Sequence, residues 1–221
     1  MPTRTETTLI EVGDWAVRCL PPENPATAPI LLLVHGRTGD ENVMWIFTRN
    51  LAGRFWLLAP RAPLNEQSGG YSWLPHLQGT WPEIDEFRQP ADEVLAALPE
   101  WASAAGVPAE TVAKPIHLMG FSQGAALSYA ITAYHPERVG QVAALAGFLP
   151  SYQQSELWES AFKGRKVYLA HGSRDEIVPV TMAHTAVRAL QAAGADVTFC
   201  ESDSGHKLSL NCLRGLEDFF E

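Results

Sequence analysis

The sequence predicts an α/β fold: a mostly parallel, doubly wound sheet with an N-terminal antiparallel hairpin and no large cap domain, in one domain over residues 1–221. Three observations lead there. Short apolar runs alternate with helix-period segments along most of the chain, as strands and covering helices do in such sheets. Ile30-Leu31-Leu32-Leu33-Val34 is apolar without interruption, as a strand covered on both faces must be. Ile116 to Leu127 reads as strand, sharp turn and helix, with glycine at 120 and 124 around Ser122.

The remaining elements follow in order. Two half-alternating runs between Thr8 and Leu20 flank Gly13-Asp14 and predict a hairpin. Pro21 to Pro25 is a stiff polar loop before the Ile30 strand. That strand ends in His35-Gly36-Arg37-Thr38-Gly39-Asp40, and a helical pattern follows through Trp45 to Leu51. Phe55 to Ala59 is the next strand, closed by Pro60-Arg61-Ala62-Pro63. Leu64 to Arg88 reads as a long loop with Gly69-Gly70 and the aromatics Tyr71, Trp73 and Trp81; a loop of that length in a small domain points to function. Pro90 opens a helix towards Ala105, with Leu95, Leu98 and Trp101 on one face. Strands are expected at Val142 to Ala146, Lys166 to Ala170 and Val197 to Cys200, and helices at Thr181 to Ala193 and Leu208 to Phe220.

Bulk composition narrows the function classes. Apolar residues make up 46% of the 221 and charged residues 19%, enough to bury a sizeable core. A formal charge of −9 disfavours nucleic acid and anionic membranes as partners. Met1 to Leu20 carries Glu6, Glu11 and Asp14 and no apolar h-region, so no signal peptide is expected, and no run has the length of a membrane span. Cys19, Cys200 and Cys212 are few, odd in number and not in CxxC spacing. They are read as reduced thiols of a cytoplasmic protein, with a Cys200–Cys212 bridge the less favoured alternative.

The chemistry centres on Gly120, Ser122 and Gly124. A serine in a strand-to-helix turn has its hydroxyl raised above the sheet, and the helix behind aims free N–H groups and a positive dipole end at the same place. Glycine is required two residues before and after because the backbones close in there. Serine needs a base, and the base needs an acid to orient it. After the following strands come Asp175, in His171-Gly172-Ser173-Arg174-Asp175, and His206, in Ser204-Gly205-His206. This is the chain order Ser, Asp, His of one convergent triad class. Glu176 and Asp203 are the rival acids. His35 and His171 precede turn glycines and are read as bonding their own loops. His117 lies within the serine's strand, while His76, His135 and His184 have no acid placed to serve them. The oxyanion hole is assigned to the backbone N–H groups of Gln123 and Arg37, with Thr38 the alternative to Arg37. Trp73, Leu74, Phe148 and Ile177 are the candidate apolar pocket, while Leu149 and Val178 are assigned to the core. The Arg37 guanidinium is read either as an attractor of anionic leaving groups or as a solvated loop side chain. No Gly-x-Gly-x-x-Gly, Gly-Lys-Ser/Thr or His-Glu-x-x-His pattern occurs, so no cofactor and no metal are expected.

From about Pro29 to its end the chain resembles the phospholipase/carboxylesterase family of α/β-hydrolases, which includes acyl-protein thioesterases. The likeness rests on Leu33-Val34-His35-Gly36, Pro60-Arg61-Ala62-Pro63, Gly120-Phe121-Ser122-Gln123-Gly124-Ala125, His171-Gly172 with Asp175, and Gly205-His206. It implies the α/β-hydrolase fold and a serine carboxylesterase acting on esters of short to medium acyl chains through Ser122, His206, Asp175 and an acyl-enzyme. Acyl-protein thioesterase and lysophospholipase are the neighbouring readings. A non-catalytic binding protein on the same fold is the reading from another class. The implied partner is a small-molecule or lipid-like ester, with a homodimer left open. The chain departs from the family at Thr38, where glycine is usual, and at Gly70-Tyr71-Ser72-Trp73-Leu74-Pro75, where Gly-x-x-Trp-Phe-Asp is common.

Overall fold

The structure is a computed structural model that describes residues 7–75, 81–152 and 155–221. His76 and part of the long loop lie outside the described residues. In chain order the strands are β1 (Thr8–Val12), β2 (Trp15–Leu20), β3 (Ile30–Val34), β4 (Trp56–Pro60), the short β5 (Leu64–Asn65) and β6 (Tyr71–Ser72), β7 (Ile116–Phe121), β8 (Val139–Leu145), β9 (Lys166–Gly172) and β10 (Asp196–Ser202). The helices are α1 (Arg88–Ala105), α2 (Ala109–Val112), α3 (Gln123–Tyr134), α4 (Ser155–Phe162), α5 (Val180–Ala192) and α6 (Leu210–Phe219).

The described residues form a main sheet in the order β1-β2-β4-β3-β7-β8-β9-β10. β1 and β2 are the expected hairpin, paired from Thr8 opposite Cys19 to Val12 opposite Trp15. β2 meets β4 antiparallel; from β4 to β10 every neighbour is parallel. This is the mostly parallel, doubly wound sheet that the strand–helix alternation predicts, in the α/β-hydrolase arrangement that the resemblance implies. Strand alternation divides β3 between two cores. Ile30, Leu32 and Val34 join Leu98, Trp101, Tyr129 and Trp158 beneath α1, α3 and α4. Leu31 and Leu33 join Phe47, Phe55, Met119, Leu216 and Phe220 on the α6 side. An all-apolar strand is what two covered faces require.

Three local readings change. The expected helix from Trp45 to Leu51 is a single 3-10 turn, Met44–Phe47. Thr48 directs both its N–H and its hydroxyl to the Trp45 carbonyl, which closes the turn instead of extending it. The long loop holds the β5–β6 hairpin and a 3-10 turn, Ile84–Phe87, with a reciprocal Glu83–Glu86 cap. A further helix, α4, lies between β8 and β9, where no element was expected.

The cysteine reading is corrected. Cys200 at the end of β10 and Cys212 in the first turn of α6 form a disulfide, with Cα atoms 5.5 Å apart. The two are brought together because α6 folds back against β9 and β10. Only Cys19 is a free thiol; it is buried, and burial pushes its pKa up to about 12. The reduced-thiol argument for a cytoplasmic location therefore no longer holds for the pair. Among the described residues no helix is long and apolar enough to cross a membrane.

His117 packs edge-on against Phe55 and Phe220 and accepts the Gln141 N–H at 3.1 Å. Burial lowers its pKa from 6.5 to about 4. The unfolded chain then binds a proton at a higher pH than the native chain. Stability should fall by up to about 3 kcal/mol as the pH drops from roughly 6.5 to 4, with no further loss from this group below that window. Urea titrations across the window should show this slope in the wild type and a flatter one in His117→Gln. Removing the bridge with Cys200→Ala/Cys212→Ala should lower urea-unfolding stability by roughly 2–3 kcal/mol, the loop-closure scale for a short loop.

Candidate active site

Ser122 lies in the turn between β7 and α3 with φ 54° and ψ −117°, outside the comfortable regions for a residue with a side chain. The crowding that demands glycine on either side is explicit. A Cβ at Gly120 would sit 2.2 Å from the Gly124 carbonyl oxygen, and one at Gly124 would sit 2.1 Å from that of Val34. The turn is thus pressed onto the C-terminal end of β3. Gln123 is the first residue of α3, so its N–H has no partner within the helix and stands at the positive end of the helix dipole.

The loop after β3 closes over the same spot. A Cβ at Gly36 would be 3.1 Å from the Cβ of Ser122, which puts Arg37 beside the serine. His35 is fully buried and shapes this loop. Its Nε2 accepts the Ala62 N–H at 3.0 Å, so Nδ1 carries the proton and donates to the Gly36 carbonyl at 2.7 Å. Burial lowers its pKa and keeps it neutral, as two bonds of opposite sense require. The Thr38 N–H donates to the Tyr71 carbonyl at 2.9 Å. Of the two alternatives for the second oxyanion donor, Thr38 is therefore already committed.

Trp73 does not line the cleft. It is 1% exposed, and its indole N–H donates to the His35 carbonyl at 2.8 Å, so it holds the loop from below. The Gln123 side chain binds the same segment, with its Oε1 accepting the Trp73 N–H at 3.0 Å. The Arg37 guanidinium bonds the Glu66 carboxylate at 2.5 and 3.1 Å. Its charge is thereby compensated, which removes the motive for an anion attractor. Glu66 lies 29 residues away in the β5–β6 hairpin, so the pairing has no local sequence signal.

Asp175 and His206 come together from the loops after β9 and β10. Asp175 Oδ2 accepts from His206 Nδ1 at 2.7 Å, and Oδ1 accepts the N–H groups of Ile177 and Val178, each at 2.9 Å. The carboxylate is fully buried while the imidazole keeps 20% exposure. His171 donates from Nε2 to the Val178 carbonyl at 2.8 Å and lies 3.4 Å from Asp175 Oδ2. Burial lowers its pKa, so a second positive charge does not compete for the carboxylate. Close approach again selects glycine: a Cβ at Gly172 would be 2.2 Å from the Gly205 carbonyl oxygen. With Nδ1 held by Asp175, the imidazole has Nε2 left for the cleft. Phe121 packs on that ring at 4.9 Å, and Ser122 and His206 share one cleft wall.

Two clefts meet at Ser122. One, about 200 Å³, is lined by Leu74, Trp81, Gln123, Phe148, Ile177 and Val178. The other, about 620 Å³, holds His206 and is walled by Val43, Ile46, Phe47 and Phe121. Leu74, Phe148 and Ile177 thus border the serine. Val178, assigned to the core from sequence, reaches the cleft edge although it is almost fully buried. Trp81 is a wall residue that the sequence reading did not assign; its ring lies 4.7 Å from Phe148, and a tryptophan in a long loop was the available signal.

Two further histidines do have acids, contrary to the sequence reading. His135 bonds Asp92 and His184 bonds Glu201, each at 2.6 Å. Separations of 43 and 17 residues conceal both pairs in the sequence. Neither histidine lines a cleft with Ser122.

The model of the phospholipase/carboxylesterase family matches residues 17–221. Acyl-protein thioesterase 1 of Debaryomyces hansenii is 30% identical over 182 residues, covering 74% of this chain and 76% of that protein. Esterase YpfH of Escherichia coli is 30% identical over 200 residues, covering 85% and 79%. The solved carboxylesterase of Mesorhizobium loti superposes with a TM-score of 0.79 at 21% identity, over 97% of this chain and 98% of that one; at that identity the likeness concerns the fold.

Gly172→Ala should drive the His206 loop away from Asp175. The expected outcome is a loss of roughly 1–3 kcal/mol in thermal unfolding, together with loss of the low-field Nδ1 proton resonance of a histidine bonded to a carboxylate.

Proposed function

The chain belongs to the phospholipase/carboxylesterase family of ester hydrolases, and from that premise we propose that Ser122, His206 and Asp175 are the nucleophile, base and orienting acid of a serine carboxylesterase acting on esters of short to medium acyl chains. The observation that carries this reading is the Asp175–His206 bond of 2.7 Å beside a strained Ser122 on the wall of the same cleft. A buried carboxylate held by two backbone N–H groups cannot swing away, so it holds one imidazole tautomer, with the proton on Nδ1 and Nε2 available as the base.

In the first half-reaction, Nε2 of His206 takes the Ser122 proton as Oγ bonds to the acyl carbon. The Gln123 and Arg37 N–H groups receive the oxyanion. When the tetrahedral adduct collapses, the bond to the leaving oxygen breaks and His206 passes the proton to it. Water repeats the sequence on the acyl-enzyme and releases the acid. A thioester would follow the same steps with sulfur leaving. The name of the Debaryomyces relative favours that second reading, and a thioester assayed beside its oxygen ester separates the two.

Ser122→Ala should lower p-nitrophenyl ester hydrolysis by roughly 10⁴-fold or more while leaving the unfolding transition in place. A fluorophosphonate probe should label the wild type and not this variant. Asp175→Asn should cost about 10⁴-fold in kcat, because an amide would favour the wrong imidazole tautomer. Full activity in Ser122→Ala would remove the serine from the nucleophile's role, and an inactive, unlabelled wild type would leave the binding-protein reading in its place.

A further inference from the structure

We infer that selectivity lies on the leaving-group side of the scissile bond, and that the preferred substrate joins a short acyl group to a large, uncharged, apolar alcohol or thiol. This rests on the proposed roles of Ser122 and His206.

The imidazole must hand its proton to the departing atom, so the leaving group occupies the cleft that contains His206. Ser122 borders both clefts, but His206 borders only the larger one, and Gln123, the helix-end oxyanion donor, borders only the smaller. The acyl group is thereby directed into about 200 Å³ and the leaving group into about 620 Å³. Partition by volume alone sets a short acyl chain against a bulky leaving group.

The walls of the larger cleft specify chemistry as well as size. Phe47 and Phe121 stack at 5.6 Å with their planes 25° apart, and Phe121 continues onto the His206 ring. Val43 and Ile46 stand 42% and 49% exposed at its edge, and Ile177 is 66% exposed between the two clefts. Single exposed apolar side chains are ordinary, but several along one cleft beside the serine mark a surface for an apolar ligand. Apart from His206, the one charged side chain on the described wall is Arg37, and Glu66 already compensates it. A phosphate or carboxylate in the leaving group would lose its hydration without gaining an uncommitted cation. The rest of the polar lining is the Gly36–Gly39 segment and Ser68, which are uncharged apart from Arg37. The cleft therefore suits an aromatic or branched hydrocarbon stacked on Phe47 and Phe121, and disfavours a phospholipid headgroup.

A pair of isomers isolates the point. Phenethyl acetate and methyl hydrocinnamate have one composition and one ring, placed on opposite sides of the ester. The wild type should show at least a tenfold higher kcat/KM for phenethyl acetate, the range for a well-filled apolar pocket. Acetylated glycerophosphate should fall at least tenfold below phenethyl acetate. Val43→Ser/Ile46→Ser, changed at exposed positions, should reduce the isomer ratio about tenfold. Equal or reversed preference between the isomers, efficient hydrolysis of the phosphorylated ester, or an unchanged ratio in the double variant would overturn the inference. Fluorophosphonate labelling of Ser122 in the same preparation separates the two levels. Labelling with the wrong preference removes this inference alone, and absence of labelling removes the catalytic reading beneath it.

Discussion

The site exists because three stretches of backbone meet where there is no room for a side chain. Gly124 lies against the carbonyl of Val34, Gly120 against that of Gly124, and Gly36 against Ser122 itself. These contacts press the start of α3 onto the end of β3. They bring the helix's unpaired N–H groups to the serine and force Ser122 into a backbone conformation that only surrounding structure can hold. A methyl group at Gly120 or Gly124 would start so close to a carbonyl oxygen that these parts would have to move apart.

Neutral buried polar groups then keep the loops in register. His35 receives one N–H and donates one, Trp73 ties the same loop from below, and the Gln123 amide joins α3 to the Trp73 segment. None carries a net charge, so the desolvation each suffers is met by hydrogen bonds rather than by counter-ions. On the other side of the site the His206 loop is bounded by Gly172 packing against Gly205 and by the Cys200–Cys212 bridge. The imidazole thus belongs to a short segment clamped at both ends, while the cleft it faces stays open and apolar.

How far the sequence could be read varied with how local the cause was. An uninterrupted apolar run marked β3, and mostly apolar runs marked β7 and β9, because strands covered on both faces have few polar positions to spare. Gly13-Asp14 marked the hairpin because the turn chemistry is contained in two residues. The Met44–Phe47 turn was read as a longer helix because the apolar spacing there is helical, while Thr48 closes the segment through hydrogen bonds that spacing does not record. Of the catalytic candidates, Ser122 carries its own signature in the flanking glycines. Asp175 and His206 could be ordered along the chain, but only the packing of their loops shows the bond between them.

Composition, periodicity and the Gly-x-Ser-x-Gly turn by themselves determined the α/β class, the strand that bears the serine and the chain order of its proposed partners, because each is read from neighbours along the chain. The tertiary structure decided the Cys200–Cys212 bridge, the neutralisation of Arg37 by Glu66, the removal of Trp73 from the cleft wall and the inequality of the two clefts. Each of these depends on which distant segments share a surface. That is settled by how the loops at the strand ends pack, a property that no window of residues contains.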